Sequence, residues 1–166
     1  MFTGRPPHLP AFDYRGCYRY FLTFCTHGRR PLFMDAPRVD FVRLQILRTC
    51  ESERFALFAY CFMPDHVHLL VEGQNADADC RRFIVRAKQL SGFYFAKNFG
   101  SRLWQRYGFE RVLRREEQTL VVARYILDNP VRAGLVDHVE EYPFLGSAVS
   151  TVAAIMEAAG YDSRSG

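Results

Sequence analysis

The sequence predicts an α+β domain: an antiparallel sheet on the ferredoxin-like split βαβ plan, with one helix added at the C-terminal side. Three observations carry this reading. The chain has 166 residues, 49% of them hydrophobic, which is enough for a core without covalent staples and short for an eight-stranded α/β barrel. Strand-like and helix-like stretches follow in the order strand, helix, strand, strand, helix, strand, helix. The middle two strand-like runs, "RFALFAYCFM" and "HVHLLVEG", are divided only by Pro64-Asp65, a turn short enough to make them antiparallel neighbours.

Each element has its own warrant. Residues 1–16, with Pro6, Pro7 and Pro10 beside Gly4 and Gly16, read as a loose arm. A strand starts at about Cys17, where "CYRYFLTFCT" is rich in aromatic and β-branched residues and runs into a turn at Gly28. In "DAPRVDFVRLQILRTCES", Asp35 or Ala36 caps, Pro37 suits the first turn, and Val39, Val42, Ile46 and Cys50 form an amphipathic stripe. After the hairpin, a helix is expected from Asp77 to Asn98, with Phe83, Ala87, Leu90 and Tyr94 on its buried face and Arg82, Arg86 and Lys97 off it. "RLWQRYGFERVLR" offers a fourth strand or paired irregular segments. Glu116 to about Asp128 is helical, acidic in its first turn and stopped before Pro130. Residues 17–147 thus form a single domain, and 148–166 a weak helix followed by a disordered tail.

Composition narrows the class. No run of 18 apolar residues and no signal-like leader occurs, which leads to the expectation of a soluble, cytoplasmic protein with no membrane partner. Cysteines 17, 25, 50, 61 and 80 stand singly, suggesting neither a disulfide framework nor a zinc ribbon. The net charge of +4 is uneven: residues 79–132 hold twelve Arg or Lys against five Asp or Glu. That asymmetry points to a polyanionic partner, with a merely solvated basic face as the alternative.

The chemistry-bearing candidates are few. Alternation along a strand puts His66 and His68 on one face, about 7 Å apart, where two imidazoles can converge on one ion or simply stand half-exposed. Two histidines cannot complete a metal site alone. Tyr125 and Asn129, four apart in "ARYILDNPVRAGLV", share a helix face; a packing tyrosine and a capping asparagine are the competing readings.

Three blocks, "FMPDHVHLLVEG", "LWQRYGFERVLR" and "YILDNPVRAGLV", in this order over roughly residues 15–147, resemble the REP-associated tyrosine transposases, single-tyrosine members of the HUH transposases of the IS200-like type. The resemblance implies an HUH endonuclease fold and a metal-dependent single-stranded DNA endonuclease and transposase. Such an enzyme cleaves and rejoins DNA near palindromic hairpins through a 5′-phosphotyrosine. It implies that Tyr125 is the nucleophile and that His66 and His68 bind Mg²⁺ or Mn²⁺. Asn129 falls in the place of the third ligand, where relatives often have Gln, and Asp65 where Asn is common. A cytoplasmic, nucleoid-associated monomer or homodimer follows, with Arg82, Arg86, Arg111, Arg114 and Arg115 as DNA-contacting residues. Trp104, Tyr107 and Phe109 are stacking candidates, with core packing the stronger reading for Trp104 and Phe109. Alternatives are a non-catalytic hairpin-binding protein, an RNA-recognition module around "SGFYFAKNF", and a zinc hydrolase using Glu72 as an extra ligand.

Overall fold

Five strands, β1 (Arg19–Cys25), β2 (Phe55–Met63), β3 (His66–Gly73), β4 (Phe109–Leu113) and β5 (Leu145–Gly146), form one antiparallel sheet in the order β4-β1-β3-β2-β5. The computed structural model describes residues 12–113 and 116–160. The helices are α1 (Ala36–Glu53), α2 (Cys80–Phe99), α3 (Glu116–Leu127), the short α4 (Asn129–Arg132) and α5 (Val152–Ala158). The first four strands have the ferredoxin-like arrangement expected, and β5 extends the sheet beyond β2. Among the described residues, no helix is long and apolar enough to cross a membrane.

The sheet separates two cores. Tyr20, Leu22 and Phe24 of β1 and Val67, Leu69 and Val71 of β3 pack with Val39, Val42 and Ile46 of α1 and Phe83, Ala87 and Phe95 of α2. On the other side, Ala59, Cys61 and Met63 of β2 and Leu70 of β3 meet Val122, Ala123, Ile126 and Leu127 of α3 and Ile155 and Met156 of α5. Each large apolar side chain fully buried in these layers contributes about 1.5–3 kcal/mol relative to exposure. Strand alternation puts the odd residues of β1 and the even residues of β3 on the α3 side. Strand β2 changes phase to serve both cores: its pairing with β3 shifts between Leu57 and Ala59, so Leu57 belongs to one layer and Ala59 to the other.

Helix α1 follows its predicted stripe and is capped by Asp35, whose side chain accepts from the Arg38 N–H at 3.0 Å. Helix α2 differs from expectation. It begins at Cys80, since residues 75–78 form a turn and Asp79 caps. Its buried face is Cys80, Phe83, Ala87, Ser91 and Phe95, while Leu90 and Tyr94 are 36% and 40% exposed. The cause is Trp104, only 5% exposed, which packs edge-on against Phe24 and donates its indole N–H to Ser91 Oγ at 2.8 Å. A small hydroxyl side chain makes room for the indole and satisfies its donor, which Leu90 would not. The segment after α2 therefore divides: Trp104 bridges Thr26, and only Phe109–Leu113 is a true strand.

The loose arm also needs revision within the described residues. Tyr14 is buried and stacks on Tyr20, Gly16 N–H donates to Ala78 O at 2.9 Å, and Cys80 N–H donates to Tyr14 O at 3.0 Å. Residues 1–11 and the expected disordered end at 161–166 lie outside the described residues. The weak helix of the tail forms as α5 and is anchored by Ile155 and Met156. All five cysteines are free thiols, and burial pushes those of Cys50 and Cys61 up to about 12.

Ser91→Ala is expected to lower unfolding free energy by about 1–3 kcal/mol, since it leaves a buried indole donor unpaired. Leu90→Ala, on the exposed face, should cost less than about 1 kcal/mol. Urea unfolding of both variants checks this, and the reverse ranking would overturn the assignment of the buried face.

Candidate metal and nucleophile site

The β2–β3 turn that delivers the two histidines is pinned from outside. Asp65 O accepts from Thr26 N–H at 2.9 Å and from Thr26 Oγ1 at 3.0 Å, and Pro64 O accepts from Phe33 N–H at 3.0 Å. His66 and His68 then face α3, opposite Cys25 and Thr23 of β1. His66 Nδ1 lies 2.7 Å from Asp65 Oδ1, whose other oxygen is bound by Arg29 Nε at 2.9 Å. His68, 7% exposed, has its Nδ1 2.8 Å from Thr23 Oγ1. With both Nδ1 atoms engaged, the two Nε2 atoms meet 3.2 Å apart.

The electrostatics favour neutral rings. Burial pushes His66 below the usual imidazole value even though Asp65 opposes the shift. Burial, then the neighbouring His66 and the charges of Arg132 and Arg29, push His68 down to about 3. Asp65 takes the Nδ1–H of His66, so that ring's Nε2 offers its lone pair toward His68. Two donors each about 2.0–2.2 Å from one divalent ion stand about 3.0–3.4 Å apart at the usual ligand angles, and the observed 3.2 Å falls within that span. Hydrogen bonding of the remote ring nitrogens is also what a ligating histidine requires. The pair thus fits two ligands of a cation.

A third ligand does not come from the common set. Among the described residues no three His, Cys, Asp or Glu side chains converge. Asn129 opens α4, and its side chain makes no hydrogen bond to either histidine. An amide oxygen or water is left as the completing donor.

Tyr125 belongs beside this pair. It is 40% exposed on α3, with its ring centroid 6.0 Å from that of His68 and 5.9 Å from that of Phe21. The Arg132 guanidinium carbon lies 4.3 Å from the same centroid. The structure therefore gathers His66, His68 and Tyr125 within one chain.

The arginines divide. Arg111 is exposed on β4 opposite Phe21, on the α3 side of the sheet. Arg114 and Arg115 lie outside the described residues. Arg82 and Arg86 are not brought to the site: they stand on α2, in the opposite layer, where both grip the buried carboxylate of Glu53, Arg86 at 3.0 Å. Glu72 is held by Arg19, which also donates to Thr119 Oγ1 at 3.1 Å, and so takes no part in a hydrolase-like ligand set. "SGFYFAKNF" is wholly within α2, which removes the RNA-recognition reading. Phe109 packs at 5.9 Å from Phe21, whereas Tyr107 is exposed. Thr23, Arg29 and Arg132 were not legible as site residues. Only the alternation of "RYFLTFC" could have put Thr23 on the histidine face.

Comparison with known proteins gives the family and the fold. The family described as "Transposase IS200 like" matches residues 16–129. A Haemophilus influenzae protein assigned as a REP-associated tyrosine transposase is 29% identical, over 75% of this chain and 77% of its own length. A solved REP-associated tyrosine transposase bound to a REP hairpin has a TM-score of 0.70 at 22% identity, covering 84% of this chain and 81% of that one. A Deinococcus radiodurans protein assigned as a transposase has a TM-score of 0.51 at 23% identity, covering 78% and 97% respectively. At these identities the structural likeness establishes the fold.

Asp65→Ala and Thr23→Val each release one imidazole from its outer partner. Each is expected to weaken Mn²⁺ binding by about 10–100-fold, measured by electron paramagnetic resonance of free Mn²⁺. Unchanged affinity in both would remove the histidine pair as the cation site.

Proposed function

The chain belongs to the IS200-like transposases, and on that footing we propose that it is a divalent-cation-dependent enzyme cleaving and rejoining single-stranded DNA beside hairpins through a 5′-phosphotyrosine at Tyr125. The observation that carries this reading is the seating of the Tyr125 ring 6.0 Å from His68, whose Nε2 stands 3.2 Å from that of His66. Mg²⁺ or Mn²⁺ held by His66 and His68, with Asn129 or water completing the set, would supply charge neutralisation at the scissile phosphate. Imidazole donors suit Mn²⁺ better by softness.

The chain's own residues do the rest. Asp65 and Thr23 fix the histidine rings and hold the two Nε2 atoms 3.2 Å apart. Tyr125 Oη attacks phosphorus in line; the phenol proton is lost, the P–O3′ bond breaks, and the departing 3′ oxygen takes up a proton. The tyrosyl ester retains the energy of the broken linkage, so a 3′-hydroxyl can displace Tyr125 and rejoin a strand without ATP. A hairpin is the substrate by analogy with the relative solved on a REP hairpin. Arg111, on the same side of the sheet, is a phosphate contact.

Two measurements test this. Tyr125→Phe should bind hairpin DNA and Mn²⁺ as the wild type does and form no covalent adduct, while mass analysis of the wild-type adduct identifies the peptide containing Tyr125. Adduct at another tyrosine, or none from the wild type, would overturn the proposal; binding without any adduct is the result for a non-catalytic hairpin-binding protein. Hairpin affinity should fall steeply between 50 and 200 mM salt, and Arg111→Ala should lower the slope of log K against log salt by about 0.7–0.9. An unchanged slope removes Arg111 from the contact set.

A further inference from the structure

The turn after α3 places a second cationic group on the tyrosine. Helix α3 ends at Leu127 and Pro130 occupies the first turn of α4. The break is closed by Arg132 N–H to Asp128 O at 3.0 Å and by Leu135 N–H to Pro130 O at 2.9 Å. Those bonds carry the helical path past Asp128 and fix the backbone from which the Arg132 side chain reaches over the Tyr125 ring, 4.3 Å from guanidinium carbon to centroid. A guanidinium lying on an aromatic face keeps its N–H edges in its own plane and free to fork an anion. Several arginines of the domain are engaged by carboxylates, among them Arg19 by Glu72, Arg29 by Asp65, and Arg82 and Arg86 by Glu53. Arg132 is exposed and makes no ion pair among the described residues.

We propose that Arg132 is a further catalytic residue, whose guanidinium binds the non-bridging oxygens of the phosphate that Tyr125 attacks and holds that phosphate against the phenol. This rests on the tyrosine-transposase reading given above. A packing role for Arg132 would steady the ring alone. A phosphate ligand would also stabilise the charge that grows on those oxygens as the Oη–P bond forms. The two roles differ in what they change: packing alters stability or binding, whereas a ligand of the reacting phosphate alters the rate at which bound DNA becomes covalent.

Single-turnover adduct formation with saturating protein, Mn²⁺ and an end-labelled single-stranded hairpin separates them. Arg132→Ala should keep its thermal midpoint and hairpin affinity within threefold, yet form adduct at least about 100-fold more slowly. Arg132→Lys should recover only part of the rate, because an ammonium is a point charge without the planar fork. Methylguanidinium added to Arg132→Ala should restore rate in a concentration-dependent way, which a lost packing contact would not allow. An adduct rate at saturating protein within threefold of the wild type would overturn the role of Arg132 while leaving Tyr125 as nucleophile. Absence of adduct from the wild type overturns both readings at once. Arg132→Gln, which keeps a polar chain of similar reach, carries the same comparison if the alanine variant does not fold.

Discussion

Strand β3 lies between β1 and β2, and its antiparallel pairing with both is the constraint from which the site follows. Pairing Thr23 with His68 and Cys25 with His66 lets a hydroxyl from β1 reach one imidazole. The same pairing sends Val67, Leu69 and Val71 into the layer of α1 and α2. Because the side-chain period of a strand is two, a slip by one residue would turn both histidines into the apolar layer of α1 and α2 and move the valines to the α3 side. The cost of that exchange holds the imidazoles in register more firmly than any contact of their own. The pinned Pro64-Asp65 turn fixes the same register from the end of the strand.

The order of elements, the hairpin, the α1 stripe and the shared face of His66 and His68 were legible because each rests on local periodicity. What was hidden depended on partners distant in sequence. The buried face of α2 turns on an indole thirteen residues past Ser91, and hydrophobicity alone favoured Leu90. Thr23 gives no sign in its own segment of being a histidine partner, and Asp65 reads from the sequence only as a departure in charge. Tyr125 and Asn129 were read as neighbours on one helix; a one-residue interruption at Asp128, itself helical in φ and ψ, divides α3 from α4 between them.

The basic tract shows the same limit in electrostatic form. Counting charges along residues 79–132 treats them as one surface, but the sheet divides them. Glu53, buried at the end of α1, draws Arg82 and Arg86 into a local ion cluster on the far layer. A buried carboxylate left unpaired would be costly, so those two guanidinium groups have a structural reason to be there without any DNA. Arg111 and Arg132 lack such a carboxylate among the described residues, and both lie on the α3 side of the sheet.

The position of Trp104 has an optical consequence. It is the single tryptophan of the chain and sits in the core shared by α1 and α2, against Phe24 and Phe33. Its emission therefore follows the loosening of that layer and is blind, at first order, to events in the layer of α3 and α5. Tyrosine emission or far-ultraviolet dichroism follows both. Coincident transitions would mean that the sheet couples its two faces into one cooperative unit. A fluorescence midpoint above the dichroism midpoint would mean that α3 can detach while the indole still reads as native, a partial opening visible to hydrogen exchange.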